Sequence, residues 1–63
     1  MISYDGIIYE TKNFLALKVE DGFEVYEKGI ALNTRVVQIG HKGEIGLKRA
    51  IYHCDTKQKE LDG

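Results

Sequence analysis

Phe14-Leu15-Ala16-Leu17-Lys18-Val19-Glu20-Asp21-Gly22-Phe23-Glu24-Val25-Tyr26-Glu27-Lys28 is the stretch whose reading decides the fold. Two runs rich in aliphatic, β-branched and aromatic residues flank an Asp-Gly pair, a combination that favours two strands joined by a tight reversal. The loop length matters, because a slip of one residue turns one strand over relative to the other. A two-residue loop sets Val19 opposite Glu24 and mixes charge into the core. A three-residue loop, Glu20-Asp21-Gly22 with the glycine in a left-handed bulge position, pairs Val19 with Phe23 and Leu17 with Val25. The second register is favoured, since it gathers Leu15, Leu17, Val19, Phe23 and Val25 on one apolar face. It leaves Phe14, Ala16, Lys18, Glu24, Tyr26 and Lys28 on a half-polar, wet face.

Upstream, a second pair, Asp5-Gly6, predicts a hairpin of strands 2–4 and 7–10, with Tyr4 opposite Ile7 and Ile2 opposite Tyr9 on one face. Ser3, Ile8 and Glu10 then take the other face, and the polar run Glu10-Thr11-Lys12-Asn13 ends the ribbon. Downstream, strand 23–28 stops at Gly29, and Ile30-Ala31-Leu32-Asn33 reads as a connection that tucks two apolar residues under the sheet. Strand 34–39 follows, with Val37 and Ile39 inward and Thr34, Val36 and Gln38 outward beside Tyr26 and Lys28.

After Gly40-His41-Lys42-Gly43 the period changes, and Leu47, Ala50, Ile51, Cys54 and Leu61 fall on one helical stripe. The spacing predicts a helix over 44–59, starting between 43 and 46. Gly46, if inside the first turn, permits close approach to the sheet, and the tail from Thr56, with only Leu61 to bury, is expected to fray. The fold class is therefore α+β: a small antiparallel sheet, two hairpins plus one further strand, covered on one face by a single C-terminal helix. Residues 1–63 form one domain.

A domain of this size buries only about 60% of the surface of its unfolded chain, so its stability is marginal and partners matter. With 43% hydrophobic residues, 30% charged residues and no proline, the composition is that of a folded domain. One cysteine, Cys54, cannot form an internal disulfide and points to a reducing compartment, the cytoplasm. The longest apolar run, Phe14 to Leu17, is far below the roughly 20 residues of a membrane span, and no basic export signal is visible, so no membrane association is expected. The net charge of −1 is unevenly spread: residues 1–31 carry three lysines against six acids, and residues 32–63 carry six basic against four acidic residues. A mixed solvated surface accounts for this, with a basic contact face on the C-terminal half as the alternative.

Signals for chemistry are sparse. His53 and Cys54 are adjacent, yet neighbours on a helix point about 100° apart, so the pair suits a core cysteine better than a nucleophile with its base. His41, His53 and Cys54 lack the short ligand pair of a metal site. Gly40, Gly43 and Gly46 around Lys42 precede a helix, an arrangement that suits either an anion or simply a sharp strand-to-helix turn. Their spacing is neither a dinucleotide fingerprint nor a P-loop. No cofactor and no metal are expected.

Ile39-Gly40-His41-Lys42-Gly43-Glu44 resembles the Ile-Gly-x-x-Gly loop of KH domains over six residues. Here a strand, not a helix, precedes it, and Gly46 stands where an apolar residue belongs, so the likeness is coincidental. The order of strands 14–19, 23–28 and 34–39 before helix 44–59 is similar to the arm-type DNA-binding domain of tyrosine recombinases. That resemblance implies a sheet docked in the major groove. Such a face should be strongly basic, whereas Lys18 and Lys28 are here offset by Glu24 and the isoelectric point is near 6.1.

The function expected from these features is that of a small non-enzymatic interaction or regulatory protein. It meets a protein partner, or a second copy of itself, through the wet sheet face or an uncovered strand edge. Phe14, Tyr26 and Val36 are the candidate contact residues. The alternative is a nucleic-acid-binding accessory factor using Lys42, Gly43, Lys48 and Arg49 at the helix start, disfavoured by the charge. No pair of titratable groups is spaced for acid–base work, so catalysis is not expected.

Overall fold

The computed structural model describes residues 6–63. Four antiparallel strands, β1 (Ile7–Glu10), β2 (Phe14–Val19), β3 (Gly22–Glu27) and β4 (Thr34–Ile39), lie side by side in chain order, and one helix, α1 (Gly43–Asp62), packs on one face of the sheet. This is the α+β architecture expected from the alternating and then helical periodicity. β2 and β4 have the expected bounds, and β3 is displaced by one residue. Strand 2–4 falls outside the described residues.

The register of the central hairpin differs from expectation. Its loop is Glu20-Asp21, with Val19 opposite Gly22, Lys18 opposite Phe23, Ala16 opposite Val25 and Phe14 opposite Glu27. Directly opposed residues share a face. Phe14 and Ala16 therefore join Phe23 and Val25 beneath the helix, while Leu15, Leu17 and Val19 turn to the outer face with Glu24 and Tyr26. Both faces of β2 are apolar, so alternation alone could not choose between them. Gly22 has the positive φ expected of it, 157°, and a second constraint besides: an added Cβ would stand 2.0 Å from the Ile39 carbonyl oxygen of β4.

The core is Phe14, Ala16, Phe23, Val25, Ile39, Ala50 and Cys54, with Ile8, Tyr9, Val37 and Leu47 packed at its margin. Val37 and Ile39 face inward as expected. Both outermost described strands are irregular: the register shifts between Ile7 and Tyr9 on β1, and between the partners of Val25 and Tyr26 on β4. Ile7 consequently faces outward opposite Leu17 while Tyr9 faces the helix opposite Ala16, so these two do not share the face expected of them.

The helix presents Gly46, Ala50 and Cys54 to the sheet, all buried. Gly46 is the close-approach point, since an added Cβ would come within 1.8 Å of the His41 carbonyl oxygen and 2.6 Å of the Phe23 ring. Two further expectations are corrected. The helix extends past the expected end at 59 to Asp62, although Leu61 is exposed, and a polar clasp ties its last turns to the start of β2. The Gln58 carbonyl oxygen accepts from the Asn13 backbone N–H at 2.7 Å and from the Thr11 hydroxyl at 3.0 Å, and its amide donates to Asn13 Oδ1 at 2.9 Å. Ile30 and Leu32 do not tuck under the sheet; both are exposed.

Candidate interaction face

The outer face of the sheet, which no described element covers, is built from alternate residues of all four strands. β1 contributes Ile7 and Glu10, β2 Leu15, Leu17 and Val19, β3 Glu24 and Tyr26, and β4 Arg35 and Gln38. Val36, unpaired at the irregularity of β4, is 37% exposed. Leu15 is buried even here, 4% exposed between its neighbours Glu10 and Tyr26. Leu17, Val19 and Tyr26 are half-buried.

Charge on this face is paired within the chain. The Tyr26 hydroxyl donates to Glu24 Oε1 at 2.8 Å, and Arg35 Nη1 donates to Glu24 Oε2 at 3.0 Å. Alternation explains the first bond, since residues two apart on a strand lie on the same side. Lys28, just past β3, pairs with Glu10 and donates to the Thr11 carbonyl oxygen at 2.9 Å. The face thus joins six apolar side chains to two neutral ion pairs.

The sequence candidates separate. Tyr26 and Val36 lie on this face, whereas Phe14, expected beside them, is 4% exposed and belongs to the core beneath the helix. Leu15, Leu17 and Val19 are the face residues that the sequence reading assigned to the core beside Phe23 and Val25. The opposite layer carries Lys42, Gly43, Lys48 and Arg49, all exposed at the start of α1. Lys42 is the N-cap residue and makes no side-chain cap hydrogen bond.

Other polar chemistry sits at the helix–sheet junction. The Tyr9 hydroxyl donates to Asp55 Oδ1 at 2.7 Å, a bond that raises the phenol's pKa because the neutral form is the donor. Cys54 is fully buried, and desolvation, reinforced by the negative charge of Asp55, pushes its thiol up to about 11. At neutral pH it is a protonated core side chain. Among the described residues no three His, Cys, Asp or Glu groups converge to hold a metal ion, and no helix is long and apolar enough to cross a membrane. No protein-family model matches the chain, and neither a curated protein nor a solved structure matches it.

Proposed function

We propose that this chain is a small non-enzymatic interaction protein that binds another protein through the outer face of its sheet. The observation that carries this reading is the placement of the partly exposed Ile7, Leu17, Val19, Tyr26 and Val36 on a face that no described element covers. A sheet face in a two-layer domain needs only polar residues where it meets water, and apolar rows there mark a contact surface. The strand edges are weaker candidates, because the irregularities in β1 and β4 interrupt the regular ladder that an added strand would need. The nucleic-acid alternative lacks support from the sheet, whose outer-face charges balance. Its basic residues are confined to the helix start. The setting we assign is the cytoplasm, in keeping with a single buried thiol.

Site-specific photo-crosslinking tests this. A photoreactive residue at Val19 should give protein adducts in cells of the source organism, and one at Ile45, on the outer side of the helix, should not. Adducts from Ile45 alone, or none from Val19, would refute the assignment of the contact to the sheet.

A further inference from the structure

We infer that the occupant of the outer face is a second copy of this chain, docked sheet to sheet across a two-fold axis to give a four-layer helix–sheet–sheet–helix dimer. This rests on the reading of that face as a protein contact, and names the partner.

A two-fold contact is self-complementary, so residues near the axis meet their own copies and a face with net charge repels itself. This face meets that condition from within the chain. Glu24 is neutralised by Arg35 and also bonded by Tyr26, and Glu10 is neutralised by Lys28. The middle of the sheet, where an axis would pass, carries the half-exposed, uncharged Leu17 and Val19 of β2 beside Tyr26 and the Arg35-paired Glu24 of β3. A nucleic acid or an anionic membrane asks for the opposite, an excess of positive charge.

Area is the second support. Four strands about 4.8 Å apart and about 20 Å long present a footprint of about 400 Å² per copy, so two copies bury close to 1,000 Å² once side-chain relief is counted. That is the lower bound for a specific contact, and desolvating the Glu24–Arg35 pair weakens it further. The dimer should accordingly be reversible, with a dissociation constant of about 10 µM. Sheets so packed lie about 10 Å apart with their strands about 30° from parallel, a spacing that Leu17 and Val19 can fill.

Sedimentation equilibrium of the full chain should show monomer and dimer exchanging around that concentration. Leu17→Lys, which puts a charge on the axis strip but faces Glu24 across the hairpin and so keeps a favourable cross-strand pair, should weaken the dimer at least about 100-fold. Ile45→Lys on the outer side of the helix should leave it unchanged. In mixed labelled and unlabelled protein, isotope-filtered NOEs should join the methyls of Leu17 and Val19 to those of the partner. A parent that stays monomeric at about 0.5 mM, or intermolecular NOEs confined to the helix or a strand edge, would overturn the inference. Failure here is distinguishable from failure of the broader proposal: Val19 adducts with a different protein, from a chain that sediments as a monomer, reject self-docking and retain the contact face.

Discussion

The two faces of the sheet are both apolar, yet among the described residues only one is covered, and the side chains with the most aliphatic bulk on β2 are on the other. Beneath the helix, Ala16, Val25, Ala50 and Cys54 are wholly buried and Phe14 and Phe23 nearly so. On the outer face Leu17 and Val19 stay half-exposed. The difference is one of shape. A helix can come close to a sheet only over a shallow trough, and small residues supply one here: Gly46 seats against the Phe23 ring, and Ala50 and Cys54 share one buried cluster with Ala16. The outer face offers no such small-residue stripe, since the bulkier Leu17 and Val19 stand half-exposed on it. Packing, not hydrophobicity alone, selects the covered face.

The largest expected effect attacks that trough. Gly46→Val forces a Cβ against the His41 carbonyl oxygen and the Phe23 ring, so the helix must lift or the strand-to-helix turn must move. We expect a loss of about 3 kcal/mol, read from urea midpoints. An unchanged midpoint would mean that the helix is not seated on its small-residue stripe.

The next test compares the faces with one chemical change made on each. Val25→Ala removes two methyl groups from a fully buried site on the covered side and should cost about 2 kcal/mol, transfer and cavity together. Val19→Ala removes the same atoms from a half-exposed site and should cost about 0.5 kcal/mol when measured in dilute monomer. Equal costs would show that the outer face is as thoroughly covered as the inner one. A reversed order would favour the register in which Val19 and Phe23 share the core.

How far the sequence revealed this structure follows from the same contrast. Strands 14–19 and 34–39, the helix and the inward set of Val37 and Ile39 were legible because periodicity and glycine punctuation are local. The register of the central hairpin was not. Asp21-Gly22 announced a glycine of positive φ, which Gly22 has, but not that the end of β4 passes against it, a contact separated by many residues in the chain. That one-residue displacement moved Phe14 into the core and brought Leu15, Leu17 and Val19 to the outer face, so which face each β2 residue takes was misread, while Tyr26 keeps the outward position expected of it. The helix end was missed for a related reason. Gln58 anchors it through polar bonds to Thr11 and Asn13, and hydrophobic spacing carries no trace of such a partner.

The smallest expected effect is a pH dependence rooted in the covered face. Cys54 is buried there, and its folded-state pKa is raised to about 11 from an ordinary value of 9.0, first by desolvation and then by Asp55. A thiol whose folded pKa is raised stabilises the protein fully below its unfolded value, and that stability is lost as pH climbs from 9 towards 11, because the unfolded chain releases its proton first. Allowing for relaxation around the thiolate, about 1 kcal/mol should be gone by pH 10. Tyr9 acts in the same direction but later, since its pKa is raised from 10.0 by the bond to Asp55. Urea midpoints of the parent and of Cys54→Ala, compared between pH 8 and pH 10, separate the two groups: the variant should start less stable from the lost sulfur but decline less steeply. Equal declines would place the thiol in contact with water, and with it the seal of the helix over Ala16 and Val25 would be in error.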